Sequence, residues 1–426
     1  MTDRVSLMSA LLFAGPVVLA LMATPEARTA GEADGDDRFA SFDREVETFM
    51  QARDVPGGAL AVVKDGRLVY ARGYGWADRD KQTRVGPTSL FRIASVSKPF
   101  TAVAVLQLVQ QGKLSLDGRA FDLLGLEPLA GQTMDPRLKT ITVRQLLQHT
   151  SGWDRDNSFD PMFRPREIAR VAGVAPPAGP EAISRYMLGQ PLQFDPGSRS
   201  VYSNFGYCVL GRIIEKLSGK SYEQYVREAV LAPIGIRDMR IGHSLPEGRA
   251  ESEVAYYVKG SGSARSAFGT TPGQVPWPYG GFNLEAMDAH GGWIASAVDL
   301  ARFAAALDDP HHSLLLSPDM IGEMYALPPA PVGRKADGSP EDAWYACGWM
   351  VRPVRGTGKA NYWHNGSLPG TSTLLVRRWD GLSWVVLFNQ RSDDPKLSDG
   401  DIDGALHRAA DAVKQWPTGD LFAQYR

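Results

Sequence analysis

The sequence predicts an α+β protein: an antiparallel sheet flanked by helices and built from both ends of the chain, with a mostly helical lobe inserted between them. Three observations carry this expectation. A β-hairpin signal stands near the N-terminus, a run of strand signals occupies the last quarter, and much of the long middle has a helical period. The 426 residues, 43% hydrophobic and 22% charged, are ample for such a core. The expected domain covers residues 38–418, with a sheet lobe at about 38–95 and 340–418 and a helical lobe at about 96–339.

Taken in order, the chain begins with a short charged start, Met1-Thr2-Asp3-Arg4, and an apolar run from Leu7 to Ala23. A polar, acidic stretch to Asp37 follows. Residues 1–30 therefore read as a secretory signal peptide, or as an uncleaved membrane anchor, because the run is near the lower limit for spanning a bilayer. Either way the body is expected outside the cytoplasm, secreted or periplasmic, with membrane association only through this segment. Arg38 to Gln51 has apolar residues at helical spacing. Gly57 to Gly75 reads as a hairpin turning at Lys64-Asp65-Gly66. A helix from about Phe100 to Gly112 is apolar almost all round, so it belongs in the interior.

Thr142 caps another short helix ending at His149. Trp153 to Pro180 is rich in Asp, Pro and Gly and is expected to be irregular. Helices follow at about Phe205 to Ser218 and Ser221 to Leu231. Ser244 to Ala289 is an irregular aromatic stretch. A capping box at Ser296 and Asp299 opens a helix. Strands are expected at Trp344 to Val354, Asn361 to Trp363, Ser372 to Arg377 and Leu382 to Asn389, then a last helix from Ile402 to Gln415.

The chemistry centres on Ser95-Val96-Ser97-Lys98 at a helix start. A serine and a lysine three residues apart fall on one helix face, about one turn apart. The N-terminal N–H groups there favour an oxyanion. A buried lysine loses its proton more readily and can take one from the serine. In Tyr202-Ser203-Asn204, alternation points Tyr202 and Asn204 the same way. A phenol beside an ammonium is expected to lose its proton more easily and act as a general base. The amide can hold a substrate carbonyl. In His364-Asn365-Gly366-Ser367, Gly366 lets a substrate backbone approach, and the N–H groups of Ser367 and Ser95 can face an oxyanion.

Ser95-x-x-Lys98, Tyr202-x-Asn204 and His364-x-Gly366, in that order, resemble the three signature elements of the serine β-lactamase and penicillin-binding-protein superfamily. The segments Leu146 to Gly152, Phe194 to Gly197, Asp299 to Phe303 and His364 to Gly370 carry the resemblance further. It covers roughly residues 40 to 390 and is nearest the class C β-lactamase, carboxylesterase and D-aminopeptidase-like branch. The resemblance implies a β-lactamase/transpeptidase-like fold, Ser95 as the nucleophile of an acyl-enzyme, and Lys98 and Tyr202 sharing proton transfer. It implies substrate-binding roles for Asn204, His364, Gly366 and Ser367. One position departs from the pattern: His364 stands where penicillin-recognising members have a lysine. Neutral histidine is a weaker anion anchor than a permanent cation.

The expected function is therefore hydrolysis of a small-molecule ester, amide or peptide, most of all an ester. The alternatives are a β-lactamase, a D-Ala-D-Ala carboxypeptidase or D-aminopeptidase acting on cell-wall peptides, or a binding module of the same fold without turnover. A net charge of −2 without a basic stripe argues against nucleic acid. Cys208 and Cys347 form no metal-type spacing, and no His-Glu-x-x-His occurs, so neither a metal nor a cofactor is expected. His149 and His290 read as structural, His311-His312 as a solvated turn, and Gly242 to Pro246 as a turn rather than a nucleophile elbow.

Overall fold

The computed structural model describes residues 37–260, 262–270 and 273–425. The apolar N-terminal segment read as a signal peptide or anchor lies outside them. Eight strands form the main sheet: β1 Gly57–Lys64, β2 Arg67–Asp78, β3 Thr83–Arg84, β4 Trp344–Tyr345, β5 Met350–Val354, β6 Lys359–Leu368, β7 Thr371–Arg377 and β8 Leu382–Phe388. Their spatial order is β3-β2-β1-β8-β7-β6-β5-β4, and every neighbouring pair is antiparallel. The N-terminal hairpin and the C-terminal meander thus join through β1 and β8, with Leu60 opposite Val386 and Ala61 opposite Val385. The expected α+β sheet built from both ends is present.

The hairpin turn follows from its residues. Asp65 and Gly66 both take positive φ, 49° and 75°, as the tight turn joining two right-twisted strands requires. β1 and β8 are buried on both faces, so they read as apolar runs without alternation. One face carries Leu60, Val62, Trp384 and Val386 against helices α1 (Ala40–Arg53) and α5 (Asp401–Ala412). The other carries Ala59, Ala61, Val63, Val385 and Leu387 into the larger core shared with the helical lobe.

At the centre of that core runs α2, Ser97–Gln110, buried at every position from Ser97 to Leu108. Phe100 stacks on Phe303 of α4 (Ala297–Ala305), ring centroids 3.9 Å apart. The helix stops where Gly112 takes φ 69°. α3, Asn204–Ser218, packs beside it. Both expected caps form: Thr142 and Gln145, and Ser296 and Asp299, exchange the reciprocal bonds of a capping box. Cys208 and Cys347 are free and buried.

Some elements differ from the sequence expectation. The stretch after Trp153 contains the short helix Pro165–Ala172, which buries Pro165, Ile168 and Ala169. A further helix covers Pro318–Tyr325. The strand expected from Trp344 to Val354 is broken at Gly348, φ 79°. A Cβ at Gly348 would lie 2.8 Å from Ala102 Cβ and 3.0 Å from the Lys98 carbonyl oxygen. The break therefore lets the chain pass directly over the first turn of α2.

Candidate active site

The segment before α2 is clamped between two sheets. Thr373 Oγ1 donates to the Ile93 carbonyl at 2.9 Å, and Thr371 Oγ1 donates to the Arg92 carbonyl at 2.9 Å. On the other side, Phe91–Arg92 pairs with Trp293–Ala295 in a small three-stranded sheet. Ala94 takes φ 47°, a conformation costing a residue with a Cβ about 1–2 kcal/mol. Strain held this way by its surroundings is characteristic of functional turns. Ser95 follows in a 3₁₀ turn, Ala94–Val96, and is the one partly exposed residue between Phe91 and Phe100.

One turn on, Lys98 is fully buried. Its Nζ lies 2.8 Å from Asn204 Oδ1, 2.9 Å from the His290 carbonyl and 3.1 Å from Ser95 Oγ. Burial drives its pKa well below 10.5, and the Arg155 charge adds to this while Asp160 opposes it. A neutral amine has two N–H groups and one lone pair. The amide and carbonyl oxygens can only accept, so they take both hydrogens. The lone pair is left facing the Ser95 hydroxyl.

Tyr202 hydrogen-bonds with Ser95. Its ring is held by His149, centroids 4.4 Å apart, with Lys98 Nζ and the Arg155 guanidinium carbon each 4.7 Å from the ring centroid. Burial raises the phenol's pKa, outweighing the Ser95 hydrogen bond and the Arg155 charge that lower it. The expectation of a readily ionised tyrosine is corrected here. Burial of the phenol itself prevails over the neighbouring groups that would favour phenolate, so the phenol keeps its proton at neutral pH.

Local structure explains how this turn is aimed. Ser203 caps α3, its Oγ accepting from the Gly206 N–H at 3.1 Å. The Ser203 N–H donates to His149 Nδ1 at 3.2 Å, and the Val201 N–H donates to the His149 carbonyl at 2.8 Å. His149, buried at φ 58°, is thus a positioning residue for the Tyr202 turn. Asn204 opens α3 with both ends of its amide used: Oδ1 faces Lys98, and Nδ2 donates to Asp160 Oδ2 at 2.7 Å.

β6 forms another wall. A Cβ on Gly366 would lie 2.3 Å from the Ile93 carbonyl oxygen and 3.1 Å from Ala94 Cβ. Glycine here lets β6 approach the serine turn itself. Strand alternation puts His364 on the same face as Gly366, turned to the serine turn and buried at 3% exposure, while Asn365 and Ser367 border the cleft along the strand edge. His364 Nδ1–H donates to the Asn365 carbonyl at 2.6 Å, leaving Nε2 to accept from the Tyr345 hydroxyl at 2.9 Å. Burial and the nearby Lys98 lower its pKa to about 3, so the imidazole is neutral.

The cleft encloses about 320 Å³. Ser95, Tyr202, Asn204 and Ser367 line it, with apolar surface from Phe163, Met287 and Leu368 and one permanently charged group, Arg155. Of the residues singled out from the sequence, Ser95, Lys98, Tyr202 and Asn204 form one hydrogen-bonded cluster, His364 and Gly366 lie on the strand face turned to it, and Ser367 borders the cleft. Sequence reasoning missed Arg155, Asp160 and Tyr345. Arg155, between Asp154 and Asp156, and Asp160 lie in an irregular stretch, and Tyr345 sits in a two-residue strand, so no spacing marks them.

The chain matches the family model "Beta-lactamase" over residues 42–408. It is 26% identical over 364 residues to Protein flp of Staphylococcus aureus (strain MW2), covering 85% of this chain and 65% of that protein. Matches to flp from other strains cover as little as 42% of its length, so the chain spans less than two thirds of these relatives. Penicillin-binding protein 4* of Bacillus subtilis (strain 168) is 26% identical over 363 residues, 85% of this chain and 74% of that protein. The D-amino acid amidase of Ochrobactrum anthropi SV3, at 23% identity, superposes with a TM-score of 0.67 over 89% of this chain and 99% of that one, and shows the shared fold. The cluster at Ser95 thus sits in a β-lactamase-type scaffold, and the chain belongs to the β-lactamase family.

Proposed function

We propose that this protein hydrolyses a small ester, with amides as the neighbouring substrate class, through an acyl-enzyme on Ser95. The observation that carries the reading is the buried Lys98 amine, 3.1 Å from Ser95 Oγ with its other two directions occupied by fixed acceptors. Lys98 Nζ takes the Ser95 proton as Oγ bonds to the substrate carbonyl carbon, and the carbonyl pair moves onto oxygen. The N–H groups of Ser95 and Ser367 stabilise that oxyanion. As the oxyanion collapses, Tyr202 gives its proton to the leaving atom and regains one from the Lys98 ammonium. Water then repeats the sequence against the acyl-enzyme, and Ser95 leaves with its proton restored.

The neutral, buried His364 supports an ester over a penicillin or a peptide C-terminus, because the third motif offers no cation. The apolar stretch from Leu7 to Ala23 supports export from the cytoplasm. The deciding experiment is Ser95→Ala in the full chain, assayed on nitrophenyl butyrate, nitrocefin and D-alanyl peptides, with intact mass after a fluorophosphonate probe. Wild type should turn over the ester fastest and gain one adduct, and the variant should do neither. Turnover retained by the variant refutes the assignment. Wild type with neither turnover nor adduct would leave the fold serving as a binding module.

A further inference from the structure

The third motif lacks the lysine that would hold an anion, yet the cleft is not without a cation. Arg155 lines it on the wall formed by the helical lobe. Its side chain is 37% exposed. Its guanidinium carbon lies over the Tyr202 ring, 4.7 Å from the centroid, a cation–π contact that holds the group at that face and uses none of its N–H donors in a hydrogen bond. Two carboxylates are near, Asp156 at 3.6 Å and Asp160 at 3.8 Å, and both lie beyond hydrogen-bond distance. Asp160 is engaged elsewhere: Oδ2 accepts from Asn204 Nδ2 at 2.7 Å, and Oδ1 accepts from the Met162 N–H at 3.1 Å. Arg155 is therefore oriented and charged, and its donors remain available to a ligand.

We propose that Arg155 is the anion anchor of this site, and that the preferred substrates carry a carboxylate on their leaving portion. The side is set by Tyr202. Its hydroxyl bonds to Ser95 and, in the mechanism above, faces the leaving atom; Arg155 covers the ring of that same residue. A carboxylate reaching Arg155 is thus carried beyond the leaving atom, while the acyl part meets the apolar surface of Phe163, Met287 and Leu368. A guanidinium binds a carboxylate through two parallel N–H···O bonds, which fixes orientation as well as charge. The inference rests on the hydrolase reading and assigns it a substrate class: acidic esters held opposite the histidine wall.

The test uses para-butyryloxybenzoic acid and its methyl ester, which share an acyl group and differ by one charge on the leaving side. Wild type should favour the acid in kcat/KM, chiefly through KM, relative to Arg155→Gln. The ratio of acid to methyl ester should fall roughly tenfold in the variant, the size of a half-exposed charge-assisted pair. Taking the ratio removes any general effect of the variant on Tyr202, and Arg155→Lys should restore part of it. In wild type alone the ratio should fall as salt rises from low to high, a readout independent of any variant. Turnover of both esters with the same ratio in wild type and variant overturns the anchor and leaves the hydrolase intact. A drop seen instead with nitrophenyl hemiglutarate, whose carboxylate is on the acyl side, overturns the assigned side. Turnover of neither ester overturns the hydrolase reading and the anchor with it.

Discussion

Replacing Lys98 with methionine tests the site through stability as well as through rate. Methionine matches the length of the lysine stem but carries no amine. Asn204 Oδ1 and the His290 carbonyl lose their donor, each at about 1–3 kcal/mol, and this cost does not vary with pH. Lys98 itself does make stability vary with pH. Its folded pKa is lowered well below 10.5 by burial, while in the unfolded chain it titrates near 10.5. At intermediate pH the unfolded state therefore binds a proton that the folded state does not. A folded pKa that is depressed gives stability fully present above the unfolded value and lost as pH falls. The slope is about 1.4 kcal/mol per pH unit. Urea unfolding of wild type and Lys98→Met at pH 8, 9 and 10 gives the difference, in which the other titrations cancel. Wild type should gain roughly 3 kcal/mol on the variant across that range. Ester turnover by the variant should fall by roughly 10²- to 10⁴-fold, the loss of a general base. A flat stability difference would mean that Lys98 is charged in the folded protein and cannot accept the Ser95 proton.

Gly366→Ala should reduce turnover at least tenfold, by roughly 1.4 kcal/mol or more of barrier, because its Cβ would meet the Ile93 carbonyl oxygen at 2.3 Å and push β6 from the serine turn. Overpacking of this kind also costs about 1–3 kcal/mol of stability, readable by urea unfolding, and an unchanged rate would refute the close approach. For His364, folded near 3 against an ordinary 6.5, the sign is again that of a depressed pKa: stability is fully present above 6.5 and lost as pH falls toward 3. His364→Gln removes that titration, so its stability relative to wild type should improve by up to about 1.4 kcal/mol per pH unit between pH 6 and 4. A pH-independent difference would show an imidazole that titrates normally.

What could be read from the sequence is what the chain decides locally. Ser95 and Lys98 share a helix face because three residues make nearly one turn, and Tyr202 precedes Asn204 in a turn capped by its own Ser203. The Asp65-Gly66 hairpin and both capping boxes are local in the same sense. That both ends of the chain build one sheet was legible because strand signals stand at each end with helical segments between, whereas the strand order was not. Arg155 and Asp160 were not legible, since each takes its role from a partner distant in sequence: Asp160 from Asn204, Arg155 from the Tyr202 ring. The protonation of Tyr202 was misjudged for a related reason. Burial of the phenol outweighs the groups that would lower its pKa, and like the depressed pKa of Lys98 it depends on packing from elements distant in sequence, which spacing does not reveal.

That dependence explains why the two lobes must share the site. Removing the charge from a lysine requires surroundings that exclude water on every side, which the sheet edge alone could not offer. The helix α2, buried from Ser97 to Leu108 and closed by Gly348 over its first turn, provides them. Stabilising an oxyanion requires the opposite: rigid backbone donors open to the substrate, which a sheet strand supplies and a packed helix interior does not. The joint between these needs is the Arg92–Ala94 segment, tied to β7 through Thr371 and Thr373 and leading straight into α2. The strained Ala94, the close approach of Gly366 and the two threonine bonds therefore act together, holding Ser95 between the buried Lys98 amine and the cleft.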